Sequence, residues 1–396
     1  MTQPIPYGRQ HITDEDIAAV TDVLRGPFLT QGPHIAAFET AFANYIGSQY
    51  AVAVANGTAA LHLCCMALGV TQGTRVITTP ITFSASANCV RYCGGDVHFA
   101  DVDPATALLD IDAVRSLLEQ HPKGYFSGII PVDFAGYPVN MAAFRELANE
   151  YSLWLLEDSC HAPGASFIAS NSAQSSDREH RCGDGSLAEL AIFSLHPVKH
   201  IAAGEGGVIT TNDEALYKHL LRLRTHGITN KPGDFSQPYS GEPERGGWYM
   251  ELQELGYNYR LTDMQAALAN SQVSRADAML TRRRTIAKRY DEVFAGSNVT
   301  TMVPTTNVGH AYHLYVIQVD DRKGLYDYLR TQNILAQVHY IPVHLMPYYQ
   351  QLGWKPGDFP HAEQYYARCL SLPMFPALTD DEQAVVIAAV LYFTNQ

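Results

Sequence analysis

Short apolar segments alternate with helical segments along the first half of this 396-residue chain. The pattern begins where YAVAVAN (residues 50–56) runs directly into the apolar helical segment GTAALHLCCMALG (57–69). Further strand-like segments occupy residues 75–80, 96–102, 126–134, 153–159, 187–195 and 206–212. Strands that alternate with helices of this length form a mostly parallel sheet covered by helices on both faces. The pattern therefore predicts an α/β fold.

The second half of the chain has a different order of helical and strand-like segments. A long helical region covers residues 262–294, and a strand, a helix and a second strand (334–340) are predicted within residues 313–340. We place the boundary between a large domain (1–274) and a smaller C-terminal domain (275–396) beside the long helix, with the N-terminal segment able to pack on the small domain. Two polar or Gly-rich stretches, 168–183 and 230–248, are predicted to be surface loops or hairpins.

Composition narrows the class of function. The formal net charge of −13 argues against a nucleic-acid binder, which would present a basic face. The negative net charge does not exclude an anionic small-molecule ligand, because an acidic protein can contain a locally basic pocket. Seven cysteines without paired spacing are typical of a reducing compartment. The N-terminus lacks a signal pattern, and no apolar run approaches the roughly 18 residues of a membrane span. We therefore expect a soluble, cytoplasmic protein without nucleic-acid or membrane partners.

Polar and aromatic positions follow several predicted strands, at the edge where open α/β sheets build their sites. Gly57 and Thr58 begin a helix, where free N–H groups and a hydroxyl form either a phosphate cradle or an ordinary turn. Asp158 ends an apolar strand and needs a partner, either a structural cation or the protonated nitrogen of a pyridine ring. Phe83 is either a ring that stacks on a flat ligand or part of the core.

Lys199 is the position that most needs an explanation. It lies in FSLHPVKHIAAGEGGV (193–208), between two segments that both read as buried strands. A lysine in a partly desolvated site has a lowered pKa and reacts as an amine nucleophile. An isolated lysine in a loop extends into solvent instead. The order of the motifs, Gly-Thr at a helix start, then Asp at a strand end, then S-x-x-x-x-K before a Gly-rich tract, favours the reactive lysine.

A metal site has little support in the sequence. Cys89 and Cys93 share a helical face, and Cys160 and His161 are able to approach residues 180–182, but no C-x-x-C pair accompanies either set. His161 by itself is a ligand, a stacking group or a satisfied polar residue in a turn. We therefore predict no metal.

Taken together, these segments resemble the fold-type-I pyridoxal-phosphate enzymes, and more closely the DegT/DnrJ/EryC1/StrS family of sugar aminotransferases. The matching segments follow in consistent order over most of the chain: LTQGPHIAAFE, NGTAALHL, TTPITFSASAN, LEDSCHAPGA, FSLHPVKHIAAGEGGVITTND, RTHG and GYNYRLTDMQAALA. The resemblance implies a mostly parallel seven-stranded sheet in the large domain and a smaller α+β domain. It also implies pyridoxal 5′-phosphate (PLP) as cofactor and a homodimer with shared active sites.

The resemblance further implies a role for each position. Lys199 matches the lysine that bonds to the cofactor aldehyde and later moves a proton, and Asp158 matches the partner of the pyridine nitrogen. Relatives with a histidine in place of this lysine perform a dehydration, so Lys199 favours transamination. The other implied cofactor positions are Gly57, Thr58, Ala59 and Ser194 at the phosphate, Phe83 on the ring, His161, and Asn258, which reaches the phosphate of the neighbouring subunit.

The segment ILAQVHYIPVHLMPYYQQLG (334–353) is similar to family members that act on UDP-linked 4-keto sugars in pseudaminic acid biosynthesis. We therefore expect transfer of the amino group of L-glutamate to C4 of UDP-2-acetamido-2,6-dideoxy-β-L-arabino-hexos-4-ulose. Tyr7, Thr30, His339 and Tyr340 are predicted on the nucleotide-sugar side, with a purely structural role as their alternative. The rival functions are transamination of a D-configured 4-keto or a 3-keto sugar, PLP-dependent regulation without turnover, and binding of an acidic ligand without PLP.

Overall fold

Helices and strands alternate through most of the chain in the computed structural model, which describes residues 3–169, 178–235, 246–302, 304–305 and 307–395. The helices are α1 (Asp14–Arg25), α2 (Pro33–Ile46), α3 (Gly57–Ala67), α4 (Ala85–Tyr92), α5 (Ile111–Glu119), α6 (Met141–Tyr151), α7 (Glu214–Leu223), α8 (Asp263–Val273), α9 (Ala276–Phe294), α10 (Arg322–Thr331), α11 (Pro347–Gln350), α12 (Pro360–Arg368) and α13 (Asp380–Thr394). No helix in these ranges is long and apolar enough to cross a membrane.

The strands form one large sheet and several small ones. They are β1 (Ile5–Pro6), β2 (Tyr50–Val54), β3 (Arg75–Thr78), β4 (Asp96–Phe99), β5 (Gly128–Ile130), β6 (Trp154–Asp158), β7 (Ser166–Ala169), β8 (Arg178–Arg181), β9 (Leu190–Ser194), β10 (Gly207–Thr211), β11 (Ile228–Thr229), β12 (Glu251–Leu252), β13 (Thr300–Thr301), β14 (Val308–Gly309), β15 (Tyr315–Gln318), β16 (Ile334–Leu335) and β17 (Cys369–Leu372). The large sheet has seven strands in the order β2-β10-β9-β6-β5-β3-β4, and all are parallel except β10. The predicted α/β fold is confirmed.

The large sheet is buried on both faces. Along β2, Val52 and Val54 belong to the largest apolar cluster, with α3, whereas Ala51 and Ala53 pack with α2 and α8 on the opposite side. Successive side chains of a strand point to opposite faces, so this division places helices above and below the sheet. The same arrangement explains why β2 has no polar residue between Ala51 and Val54.

A second apolar cluster forms around the C-terminal elements. It joins α9, α10 and α13 to the antiparallel sheet β13-β15-β17. Ile5, from the start of the chain, belongs to this cluster because β1 pairs in parallel with β16. The N-terminal segment thus packs on the C-terminal part of the chain. A domain boundary at residue 275 stays a prediction.

Two predicted elements differ from the observed ones. The helical region 262–294 is broken at Ser274 and Arg275, where the Arg275 guanidinium binds Asp16 and the carbonyl of His11, 2.7 Å away, at the start of α1. The predicted strand 334–340 is wrong beyond Leu335, because the following residues turn inward to line a cavity.

The two predicted surface excursions are only partly covered by the described residues. Within the first, β7 and β8 pair as an antiparallel hairpin, and residues 170–177 lie outside the described part. Within the second, residues 236–245 lie outside it as well.

Candidate active site

A cavity of about 460 Å³ opens at the carboxyl ends of the parallel strands. Its wall contains ten of the thirteen residues predicted for the site: Tyr7, Gly57, Thr58, Phe83, Asp158, His161, Ser194, Lys199, His339 and Tyr340. These residues come from segments spread between positions 7 and 340 of the chain. The fold therefore brings one set of polar groups together from both halves of the sequence, at the edge where parallel sheets bind ligands.

Lys199 follows β9 in a tight turn that is held from two sides. Its N–H donates to the carbonyl of His196 at 2.8 Å. Just beyond it, Gln272 of α8 bonds both the N–H and the carbonyl of Ala202, each at 2.9 Å, and the His200 ring donates to the carbonyl of Ala311 at 3.0 Å. These bonds fix the main chain around the lysine, so its amine has a defined position in the cavity.

The amine of Lys199 lies in a setting that favours its neutral form. Its Nζ is 3.4 Å from Nε2 of His313. Burial lowers the pKa of Lys199, Cys160 and Asp158 oppose this by raising it, and the charge of Arg283 lowers it further. A neutral amine is the form that attacks a carbonyl carbon, so the geometry and the charge balance both suit a nucleophilic lysine.

Asp158, at the end of β6, is 4% exposed and lies in the same cavity. Its Oδ2 accepts a hydrogen bond of 2.6 Å from the Ser86 hydroxyl, and its Oδ1 accepts one of 3.2 Å from the N–H of Cys160. Neither donor carries a charge, so the carboxylate lacks a bonded cation among the described residues. A buried carboxylate of this kind is suited to a positively charged ligand atom.

The start of α3 forms a cradle beside Ser194. Asn56 caps the helix by accepting the N–H of Ala59 at 2.8 Å, and the N–H groups of Gly57 and Thr58 at the first turn are left without an intrahelical partner. A Cβ on Gly57 would lie 3.2 Å from Cβ of Ser194 and 3.5 Å from its Oγ. A side chain at residue 57 would therefore press on Ser194, which borders the N–H groups that suit an anion.

His161 is almost fully buried and has a defined tautomer. The N–H of Ala135 donates to its Nδ1 at 3.2 Å, so the proton of the neutral ring is on Nε2, 3.3 Å from the Tyr340 hydroxyl. Burial, followed by the charge of Lys199, lowers its pKa well below the ordinary histidine value. His161 is therefore a neutral donor at physiological pH.

Three predicted site residues lie outside the cavity wall. Ala59 is buried, and its N–H is taken by Asn56. Thr30 is exposed and forms an isolated bridge to Thr262, and Asn258 is exposed and bridges Thr225. An exposed Asn258 is compatible with a contact to a second subunit.

Two of the polar wall residues that the sequence analysis missed contact the predicted groups. Ser86 bonds Asp158, and His313 lies against Lys199 with its ring centroid 4.2 Å from that of His161. Ser86 lies in the quoted segment TTPITFSASAN, so its position after a predicted strand was a usable signal. His313 lies two residues before β15, and nothing in the sequence indicates that it turns towards Lys199.

A second buried cluster lies behind the cavity, outside its wall. Donor atoms of Asp133, Glu157 and Cys182 are all within 4.8 Å of one another. Asp133 accepts bonds from Val139 N–H and the Ser159 hydroxyl, both 2.8 Å long. Burial raises the pKa of Asp133 to about 6 and that of Glu157 well above its ordinary value. The two carboxyl groups are therefore suited to sharing a proton.

Comparison with models of known protein families identifies the family of this chain. The model of the DegT/DnrJ/EryC1/StrS aminotransferase family matches residues 10–391. The chain belongs to this family. The resemblance found in its sequence motifs is thus confirmed, and so is the fold type I of the PLP-dependent transferases.

Known relatives agree with the family. The spore coat polysaccharide biosynthesis protein SpsC of Bacillus subtilis is 37% identical over 395 residues, which covers 98% of this chain and 96% of SpsC. Helicobacter pylori PseC, an aminotransferase of pseudaminic acid biosynthesis, is 28% identical with a TM-score of 0.86 over 99% of this chain and all of PseC. The putative sugar aminotransferase Spr1654 of Streptococcus pneumoniae in its PMP-form is 27% identical, with a TM-score of 0.87 over 99% of each chain.

The enzyme class and cofactor follow from these matches. The protein is a PLP-dependent sugar aminotransferase, and Spr1654 has been solved in both PLP- and PMP-forms. The residues present fit the cofactor, because the cavity offers an amine, a carboxylate that lacks a bonded cation, and a helix-start cradle that a single Cβ would fill.

Proposed function

We propose that this enzyme transfers the amino group of L-glutamate to C4 of a UDP-linked 4-keto-6-deoxy-N-acetylhexosamine. The specific substrate we propose is UDP-2-acetamido-2,6-dideoxy-β-L-arabino-hexos-4-ulose, in pseudaminic acid biosynthesis. The observation that carries the reaction type is the presence of the Lys199 amine and the Asp158 carboxylate in one cavity. The likeness to PseC over the full length of both chains supports the sugar.

PLP, when bound, supplies an aldehyde and an electron-accepting ring. Asp158 would hold the protonated ring nitrogen, and Gly57, Thr58 and Ser194 would bind the phosphate. Lys199 would bond to the aldehyde and afterwards move a proton as a base and then as an acid. Phe83, whose ring is 60% exposed, would stack on the cofactor, and the neutral Nε2–H of His161 would donate to it.

The wall opposite Lys199 is proposed to recognise the sugar nucleotide. Tyr7 and His339 are in ring contact, with centroids 5.1 Å apart, and Tyr340 extends this wall to within 6.2 Å of Phe83. His339 is fixed by a 2.8 Å bond between its Nδ1 and the Ser371 hydroxyl. These rings offer flat apolar surface with polar edges, which suits a sugar and a base.

The assay is a paired comparison of two substrates. Purified enzyme with L-glutamate is given either of the two C5-epimeric UDP-4-keto sugars, and the products are identified by NMR. We expect amination of the L-arabino substrate, with no product from the Lys199→Ala variant. Preference for the D-configured epimer would overturn the substrate, and an active Lys199→Ala enzyme would overturn the reaction.

A second candidate substrate has its own support. SpsC, whose name refers to spore coat polysaccharide, is more similar in sequence than PseC, at 37% against 28% identity. Another nucleotide-linked keto sugar of a surface polysaccharide is therefore the alternative. Cofactor binding without a half-reaction with glutamate would instead favour a regulatory protein.

We also propose a homodimer with shared active sites in the cytoplasm. Five exposed apolar side chains lie close together along the chain before Asn258, and such patches are typical of protein interfaces: Trp248, Met250, Leu252, Leu255 and Tyr257. All seven cysteines are free, which suits a reducing compartment.

The shared site is tested by complementation. Mixing inactive Lys199→Ala and Asn258→Ala subunits under exchange conditions should restore up to about a quarter of the parent activity, because half the dimers would then contain one intact site. The mass in solution gives the oligomeric state directly. No recovery after proven exchange would contradict the role of Asn258 across the interface.

A further inference from the structure

Arg283, in the middle of α9, is a charged side chain that is only 1% exposed. Its guanidinium donates to three main-chain carbonyls: Met374 at 2.9 Å, Tyr312 at 3.1 Å and His313 at 3.4 Å. Its Nε has no hydrogen-bond partner, and no ion pair to a carboxylate is present in the described part of the chain. A buried arginine normally has a carboxylate partner, so this one needs a different explanation.

The three carbonyls belong to two segments, of which one carries a residue of the cavity wall and the other bonds to one. His313 lines the cavity and places Nε2 3.4 Å from Lys199 Nζ. Met374 donates its N–H to the carbonyl of Tyr7 at 2.9 Å, and Tyr7 lines the cavity as well. One guanidinium therefore ties together the main chain behind two walls of the site.

The charge of Arg283 also acts on the cavity. Burial lowers its own pKa to about 9, which leaves it charged at neutral pH. Burial and this charge both act to lower the pKa of Lys199, while Cys160 and Asp158 raise it. The imidazoles that face Lys199 are those of the buried His161, His200, His313 and His339 and of the exposed His196, and burial lowers the pKa of each.

We propose that Arg283 is a positioning residue of the active site, which fixes the chain at His313 and Met374 and places a buried charge without a carboxylate partner near the Lys199 amine. This rests on the proposed role of Lys199. A purely architectural arginine would affect folding but would leave the titration of Lys199 unchanged. The two roles therefore differ in one measurable quantity.

The experiment follows Lys199 in the cofactor-free protein. The apo-form of Spr1654 has the same overall fold as this chain, with a TM-score of 0.86, so such a form is a reasonable sample. The chain has only seven lysines, which reductive ¹³C-methylation makes visible by NMR. Lys199→Arg identifies the Lys199 resonance. In the parent protein we expect Lys199 to titrate at a lower pH than the other six lysines. A Lys199 that titrates with them would overturn the proposal without any Arg283 variant.

The variants separate charge from architecture. Arg283→Met should raise the titration midpoint of Lys199 by at least about 0.5 pH unit. Arg283→Lys keeps the charge, so its midpoint should stay within about 0.2 unit of the parent, while the loss of donors lowers the rate of transamination. The matched control is Arg282→Met, because Arg282 is the next residue on α9 but pairs with Asp380 at 2.8 Å outside the site. It should leave the midpoint unchanged.

Each outcome decides the proposal. A folded Arg283→Met protein with the parent midpoint would refute the electrostatic role, and full transamination by Arg283→Lys would refute the positioning role. If Arg283→Met does not fold, Arg283→Gln, which is neutral but still donates hydrogen bonds, takes its place in the titration, and Arg283→Lys still decides the positioning role. An active Lys199→Ala enzyme would instead refute the proposed function itself, and the titration of Lys199 does not depend on that result.

Discussion

Replacing Gly57 by alanine tests the phosphate cradle with a single methyl group. The new Cβ would lie 3.2 Å from Cβ of Ser194, which is closer than side-chain carbons normally approach, so Ser194 would have to move by a few tenths of an ångström. That shift would weaken the hydrogen bond that we propose between the Ser194 hydroxyl and the phosphate. A hydrogen bond to a charged group contributes about 1.5–3 kcal/mol. At about 1.4 kcal/mol per factor of ten, the affinity for PLP should fall by about 10- to 150-fold.

The assay is titration of cofactor-free protein with PLP, followed by absorbance. Stability should not fall in parallel, because alanine has a higher helix propensity than glycine by up to about 1 kcal/mol. The matched control is Gly233→Ala, since a Cβ at Gly233 has nothing within 4 Å. Its affinity for PLP should equal that of the parent.

The Ser194→Ala variant checks the proposed cause. If Gly57→Ala acts by displacing Ser194, the double variant should bind PLP no more weakly than the weaker single variant. Fully additive losses would mean that the methyl group acts on something else. Parent-like affinity of Gly57→Ala would refute the cradle altogether.

Three other changes probe the rest of the site. Asp158→Asn should slow the half-reaction with glutamate by about 100-fold or more in single-turnover measurements, because the cofactor nitrogen loses its anionic partner; a loss below tenfold would contradict this role. Burial raises the pKa of Glu157, so the amide of Glu157→Gln would replace a neutral acid, and the free energy of unfolding in urea at pH 7 should stay within about 1 kcal/mol of the parent. Glu157→Ala should lose about 2 kcal/mol or more. Equal losses in the two variants would argue against the protonated form. His161 should stay neutral at pH 6.5, where an ordinary histidine is half protonated, with its proton on Nε2, because burial lowers its pKa; ¹⁵N NMR showing a half-protonated ring at that pH would oppose this.

The alternating part of the fold was predictable because its strands are buried on both faces. Segments such as the one containing Val52 and Ala53 have apolar residues at every position, and several strands are followed by a helix with its own cap, such as Asn56 or Asn140. Local sequence therefore carries enough information to define each strand and each helix. The positions directly after the strands, Asp158 and Lys199 among them, then follow from the sheet edge at which parallel strands end.

The C-terminal contributions were less predictable because they depend on contacts distant in sequence. His313 and Arg283 come close to the site only because α9 and the chain before β15 pack near the turn at Lys199. The break at Arg275 depends on a contact with Asp16, far away in the sequence. No local sequence pattern in these segments indicates such contacts with distant residues.

The pairing of β1 with β16 has a consequence for synthesis of the chain. Ile5 and Pro6 pair with Ile334 and Leu335, and Tyr7, the next residue, is part of the cavity wall. On the ribosome, the first segment to emerge has no strand to join until nearly all of the protein has been made. The seven-stranded sheet is able to assemble earlier, since its last strand ends at Thr211. The catalytic cavity is therefore expected to close late, after the scaffold that carries Lys199 has already formed.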